Sequence, residues 1–245
     1  MNFTTSVKRL ALVWTTLLFT LCIAEAASAE TFQLPFGETT LSFELQPGYC
    51  QADPQYRFDQ RWLDFQKRVT AESGTLLGAF IDCDSLSKLR IGQIVMMKRM
   101  MMMFAPPVDP TEAKALQTLP KSQVLSGIAE QFTNGVHVDY DQATDKVQSA
   151  IDQLTADTKS IPVDIKGSTP SLLKKTDKGV FAALITQVQM GSKQGRMASM
   201  MGFAVVQHHL VAVTSYRLYE NADTIKGMLT EVETVVNKVT AANDK

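Results

Sequence analysis

The chain reads as an α+β protein, an antiparallel sheet packed by amphipathic helices, on three observations. Alternating apolar segments in the first third give way to a run of helix signals. A three-strand meander with short loops follows. A long amphipathic stripe then closes the chain.

Thr40-Leu41-Ser42-Phe43-Glu44-Leu45 alternates as a half-buried strand and stops at Pro47-Gly48. Asp53-Pro54 reads as an N-cap with proline in the first turn. Phe58, Trp62, Phe65 and Val69 then recur at helical spacing, up to a stop near Gly74. Leu76 to Ile81 is a compact apolar strand, Asp82-Cys83-Asp84-Ser85 opens a short helical turn, and Ile91 to Phe104 is a second extended run. Pro106, Pro107 and Pro110 make a rigid link in which Asp109 and Glu112 pair as a capping box. Pro120 ends that helix. A second helix carries Val124, Leu125, Ile128 and Phe132, and a third from Asp141 carries Ala143, Val147, Ile151 and Leu154. The meander comprises Val180–Met190, Met197–Val206 and Leu210–Tyr219. Ile225, Met228, Leu229, Val232, Val235, Val236 and Val239 mark the last helix, with Asn221 or Asp223 near its cap.

The first residues read as an address rather than as fold. Lys8 and Arg9 precede an apolar run from Leu10 to Ile23, and Ala27-Ser28-Ala29 supplies a small-residue cleavage site, so residues 1–29 are expected to be a secretory signal peptide. The single α+β domain is then 30–245. Lipidation at Cys22 is disfavoured because Leu21, not a small residue, precedes it. The apolar run is shorter than the ~20 residues that span a bilayer, which disfavours an uncleaved anchor, and no later segment reaches spanning length without charge, so no stable membrane insertion is expected after cleavage. Asn134, Asn221, Asn237 and Asn243 all lack a following Ser/Thr acceptor pattern, which favours a periplasmic over a eukaryotic secreted home.

Of the 3 Cys, Cys22 leaves with the leader; Cys50 and Cys83 remain and are expected to form one disulfide. In the loop-entropy model a ring of this size contributes roughly 3–4 kcal/mol. With 24 basic and 25 acidic residues and no basic stripe, nucleic acid is not an expected partner. At 45% hydrophobic and 20% charged, the composition is that of a globular domain.

Gly48-Tyr49-Cys50, Ala79-Phe80-Ile81-Asp82-Cys83-Asp84 and Ser215-Tyr216-Arg217-Leu218-Tyr219 form a layout that resembles uncharacterised secreted proteins of Gram-negative bacteria. The order of elements resembles the PsbP-like α/β/α sandwich. The resemblance implies a fold and a compartment and no activity. The methionine-rich run is not part of it.

Methionine is the compositional oddity, with 12 in the chain and clusters at Met96, Met97 and Met100–Met103 and at Met190, Met197, Met200 and Met201. Thioethers are soft ligands suited to Cu(I), so Met96, Met100, Met197 and Met201 are candidate metal ligands, with His208 and His209 able to complete a site. The competing reading is packing, because consecutive residues of a strand face opposite ways and methionine fills irregular cores. His208-His209 is also placed at a hairpin turn, and His137 has no ligand at suitable spacing. Ser85-x-x-Lys88 and Ser171-x-x-Lys174 match a serine–lysine nucleophile pattern, but its companion motifs are missing. No P-loop, dinucleotide fingerprint, G-x-S-x-G or H-E-x-x-H is present, so no cofactor is expected. Asp82 and Asp84 suit a cap better than a hard-cation site. Tyr216, Arg217 and Tyr219 are possible surface contacts. The expected function is therefore an exported, non-enzymatic binding module for an envelope protein or an apolar ligand. A Cu(I)-binding protein is the alternative, and a serine hydrolase the third reading.

Overall fold

In a computed structural model of the protein, the described residues are 31–36, 39–71, 74–93, 95, 97–136, 138–154 and 162–243. The expected leader and His137 lie outside them. The strands, in chain order, are β1 (Thr31–Phe36), β2 (Thr39–Glu44), β3 (Tyr49–Gln51), β4 (Thr75–Asp82), β5 (Arg99–Ala105), β6 (Val163–Gly167), β7 (Ser171–Lys175), β8 (Val180–Met190), β9 (Lys193–Val206) and β10 (His209–Leu218). The helices are α1 (Arg57–Val69), α2 (Cys83–Arg90), α3 (Pro110–Thr118), α4 (Lys121–Thr133), α5 (Tyr140–Leu154) and α6 (Ala222–Asn243).

Strands β3 to β10 form one 8-stranded antiparallel sheet in the order β3-β4-β5-β10-β9-β8-β6, with β7 also on β8. The β8–β9–β10 meander docks on β5 through β10, so the middle helices are an excursion between two neighbouring strands. β1 and β2 pair only with each other.

Strand alternation sorts the core onto two faces. One face carries Phe80, Met101, Met103, Phe181, Met200 and Val213, covered by the β1–β2 hairpin (Phe32, Leu34, Leu41, Phe43) and by α6. Phe32 and Phe43 pack on the Phe80 ring with centroids at 4.9 and 5.3 Å. Met228, Val232, Val235, Val236 and Val239 are the apolar stripe of α6, and all are buried. Gly202 admits that helix: a Cβ there would lie 2.6 Å from a methyl of Val232. On the opposite face, Trp62 of α1 and Leu86 of α2 pack on Ile81, Met102 and Phe104. Leu116 of α3 and Leu125 of α4 pack beside Val180 and Val205. Burying each such side chain is worth about 1.5–3 kcal/mol.

α5 runs beside the outer edge of β6. The Val163 N–H donates to Oε1 of Gln148 at 2.7 Å, and the Ile165 N–H to Oγ1 of Thr144 at 3.1 Å. Two outward-pointing donors of that strand thus bond to helix side chains.

The expected α+β class, the meander, the Asp109–Glu112 capping box and the long final helix are all present. Four local readings are corrected. The Thr40–Leu45 strand is β2, in the separate hairpin rather than in the main sheet. Asp53 does not cap α1: its side chain accepts from the Gln55 N–H at 2.9 Å, turning the chain early, and the helix starts at Arg57 after Tyr56. The extended run expected from Ile91 is strand only from Arg99, because α2 runs on to Arg90 before the chain turns. The β9–β10 turn is made by Gln207 and His208, at φ 48° and 64°, while His209 opens β10. Among the described residues, no helix is long and apolar enough to cross a membrane.

Candidate functional site

Glu231 lies on the apolar stripe of α6, one turn from Met228 and Val235, and is only 2% exposed. A carboxylate removed from water needs partners of opposite charge and good hydrogen bonds. The Tyr49 hydroxyl donates to Oε1 at 3.1 Å. Ser215 Oγ and Arg217 Nη2 donate to Oε2 at 3.1 and 2.8 Å. Arg99 Nη1 stands 4.0 Å from Oε1. β3, β5 and β10 thus each send a side chain to one carboxylate of α6.

Arg99 and Arg217 are Cα partners across the β5–β10 ladder. Like charges directly opposite each other are unfavourable, and one shared carboxylate offsets only part of the repulsion. Arg99 also lies over the Tyr49 ring, 4.5 Å from its centroid, and donates to the Pro47 carbonyl at 3.2 Å. Gly48 makes that approach possible. Its φ is +89°, and a Cβ there would fall 2.4 Å from Arg99 Nη2. Burial, reinforced by the charge of Glu231 and opposed by the two arginines, pushes the Tyr49 hydroxyl well above the ordinary tyrosine range. The Nε of Arg217 is buried and has no hydrogen-bond partner among the described residues.

Over this cluster opens a basin of about 430 Å³ lined by Gly48, Asp82, Cys83, Asp84, Lys98, Arg99 and Arg217. Cys50 and Cys83 are bonded, with Cα atoms 5.0 Å apart and a sequence separation of 33. The bond ties β3 to the start of α2 and fixes two walls of the basin relative to each other. The acidic groups on the wall are engaged. Asp82 accepts from the Ser85 N–H at 2.9 Å, capping α2, and from the Lys98 N–H at 3.1 Å. Asp84 meets Lys88 at 2.8 Å and Lys98 at 3.6 Å, and the Lys88 hydrogen bond holds its carboxyl below the usual range.

The other residues singled out in the sequence are dispersed. Met96 lies outside the described residues. Met100, Met197 and Met201 are half-buried on the face opposite Glu231, with β10 standing between Met100 and the other two. His208 and His209 sit at the far end of the β9–β10 hairpin, since Met197 pairs with Leu218 and Val206 with His209. At ~3.4 Å per residue the hairpin separates them from Met197 by roughly 30 Å, so these imidazoles do not complete a site with Met197. His208 Nδ1 instead lies 3.1 Å from the Leu116 carbonyl, and the His209 ring packs edge-on against Phe36. Met101, Met102, Met103 and Met200 are core.

Tyr216 and Arg217 point to opposite faces, so they do not form one contact surface. Tyr216 joins the α1 side of the core, and burial pushes its hydroxyl up to about 12. Tyr219 lies under the Arg196 guanidinium, 5.0 Å from its ring centroid. Ser85 is buried, and Lys88 bonds Asp84; Lys174 bonds Glu233 at 2.5 Å rather than serving Ser171.

Glu231 and Arg99 were missed from the sequence. The available signal was a charge standing at an apolar position: Glu231 three residues after Met228, and Arg99 in phase with Met101 and Met103.

No protein-family model and no curated protein matches the chain. Among solved structures it is similar to the solution structure of cyanobacterial PsbP (CyanoP) from Synechocystis sp. PCC 6803. The identity is 10% and the TM-score 0.39, over 86% of this chain and 93% of that one.

Proposed function

We propose that this chain is an exported, non-enzymatic binding module of the bacterial envelope, and that the basin above Arg99, Arg217 and Glu231 is its binding face. The observation that carries the reading is the pair of opposed arginines sharing a single buried carboxylate at the floor of an open, disulfide-braced basin. Such a cluster costs folding energy through repulsion and desolvation, and a partner group of opposite charge relieves both. The leader pattern and the Cys50–Cys83 bond support an oxidising compartment.

The test is capture of envelope partners by tagged chain, comparing the native sequence with Arg99→Gln, after fractionation has located the protein and mass measurement has located its mature N-terminus. Enrichment of a partner by the native chain and its loss with Arg99→Gln supports the reading. Recovery unchanged by the substitution, or a chain retained in the cytoplasm, overturns it.

A further inference from the structure

We infer that the basin binds a single oxyanion group, carboxylate or phosphate, between the guanidiniums of Arg99 and Arg217, with Lys98 at its rim. The inference rests on the binding reading above and names the chemistry of the occupant.

Donor and acceptor supply at the site is unequal. Each guanidinium carries five N–H donors, while a carboxylate offers about four acceptor positions. Glu231 already accepts from Tyr49, Ser215 and Arg217. Among the described residues, Arg217 hydrogen-bonds only to Glu231, and Arg99 only to the Pro47 carbonyl. Most of the fork on both side chains is thus uncommitted, and the Arg217 Nε is buried without an acceptor. Neither Asp82 nor Asp84 meets the need, since their oxygens are occupied by the N-terminal turn of α2, Lys88 and Lys98.

Geometry favours one small planar or tetrahedral group. Directly opposed Cα atoms on antiparallel strands stand ~4.5–5.5 Å apart, so two forks rise side by side from adjacent strands. Bidentate guanidinium recognition of carboxylate or phosphate is the pairing such forks are shaped for. Lys98, with its side chain 75% exposed and 3.6 Å from Asp84, adds a positive charge at the entrance.

The test uses the purified, disulfide-bonded chain with its arginine side chains labelled for NMR, titrated at constant ionic strength with inorganic phosphate and, separately, with acetate. The expected result is a saturable shift of the Arg217 Nε–H resonance. Arg99→Gln should weaken that affinity about tenfold or more, as loss of a charged hydrogen-bond donor does. This variant keeps the Arg217–Glu231 hydrogen bond, and unchanged amide resonances away from the basin check that its fold is kept. Lys98→Gln, at an exposed position, is the second variant and should weaken affinity about twofold or more. Saturation by phosphate alone assigns a phosphate group, and by acetate alone a carboxylate. Shifts that rise linearly for both anions, or that persist unchanged in Arg99→Gln, overturn the inference. Saturable anion binding without any captured envelope partner rejects the interaction reading alone, and a captured partner without anion binding rejects this inference alone.

Discussion

Tyr49 and Glu231 stand 182 residues apart in the chain and meet through a 3.1 Å hydrogen bond. The contact joins the shortest strand of the sheet to the longest of the described helices. The remaining donors to that carboxylate arrive from strands between them, so Glu231 acts as the point where β3, β10 and α6 are registered. Glu231→Ala would leave Arg217 and Ser215 without their acceptor. Because the arginine side chains are 27–28% exposed, the expected loss is at the lower end for a broken buried pair, about 2–4 kcal/mol, read from urea unfolding. A loss below about 1 kcal/mol would mean water replaces the carboxylate freely.

Tyr49→Phe removes one hydrogen bond and leaves the ring under Arg99, so about 1 kcal/mol is expected by the same measurement. Equal losses for Tyr49→Phe and Tyr49→Ala would assign the contribution to the hydroxyl alone.

Alkaline pH tests the buried phenols. The folded-state pKa of Tyr49 and of Tyr216, the latter about 12, lies above the ordinary 10.0. Above pH 10 the unfolded chain therefore binds fewer protons than the native one, and stability falls as pH rises. Stability from these groups is complete below pH 10 and lost progressively toward 12 and beyond. Absorbance titration of native protein should show late-ionising tyrosines, Tyr49 and Tyr216 among them. In Tyr216→Phe the decline of stability between pH 10 and 12 should be shallower, and an unchanged slope would remove Tyr216 from the account.

Reducing Cys50–Cys83, or replacing both by Ser, releases a loop closed over a separation of 33 residues. In the loop-entropy model the cost is about 3–4 kcal/mol. Denaturant midpoints with and without reductant measure it, and coincident curves would show that β3 is held by its ladder and by Tyr49 instead.

Asp59 on α1 is fully buried and receives both the Arg90 guanidinium, at 2.5 Å, and the Asp53 N–H, at 2.8 Å. Asp59→Ala should cost about 3 kcal/mol and loosen α1 from α2, a change visible as faster amide exchange in those helices. Exchange confined to the first turn of α1 would argue that Arg90 is held by the Tyr56 ring.

The frame was legible in the sequence wherever one periodicity acted alone. The β8–β10 meander and the valine stripe of α6 follow directly from alternation and from the 3.6-residue repeat. Two kinds of information were hidden. Local capping competes with turn formation, so Asp53 could serve a turn or a helix, and the buried Asp59 two residues into the helix decides it by taking the Asp53 N–H. The site itself is non-local. Arg99, Ser215, Arg217 and Glu231 meet only because β10 returns to β5 after a long excursion, a pairing that no periodicity encodes. The methionine run was the loudest signal and proved mostly to be core.

The side chains of α5 that occupy the Val163 and Ile165 amides leave β6 a poor template for a foreign strand. A neighbouring molecule that approached there would find those two donors already spoken for, so growth of the sheet by edge-to-edge aggregation is blocked at that strand while the helix stays in place.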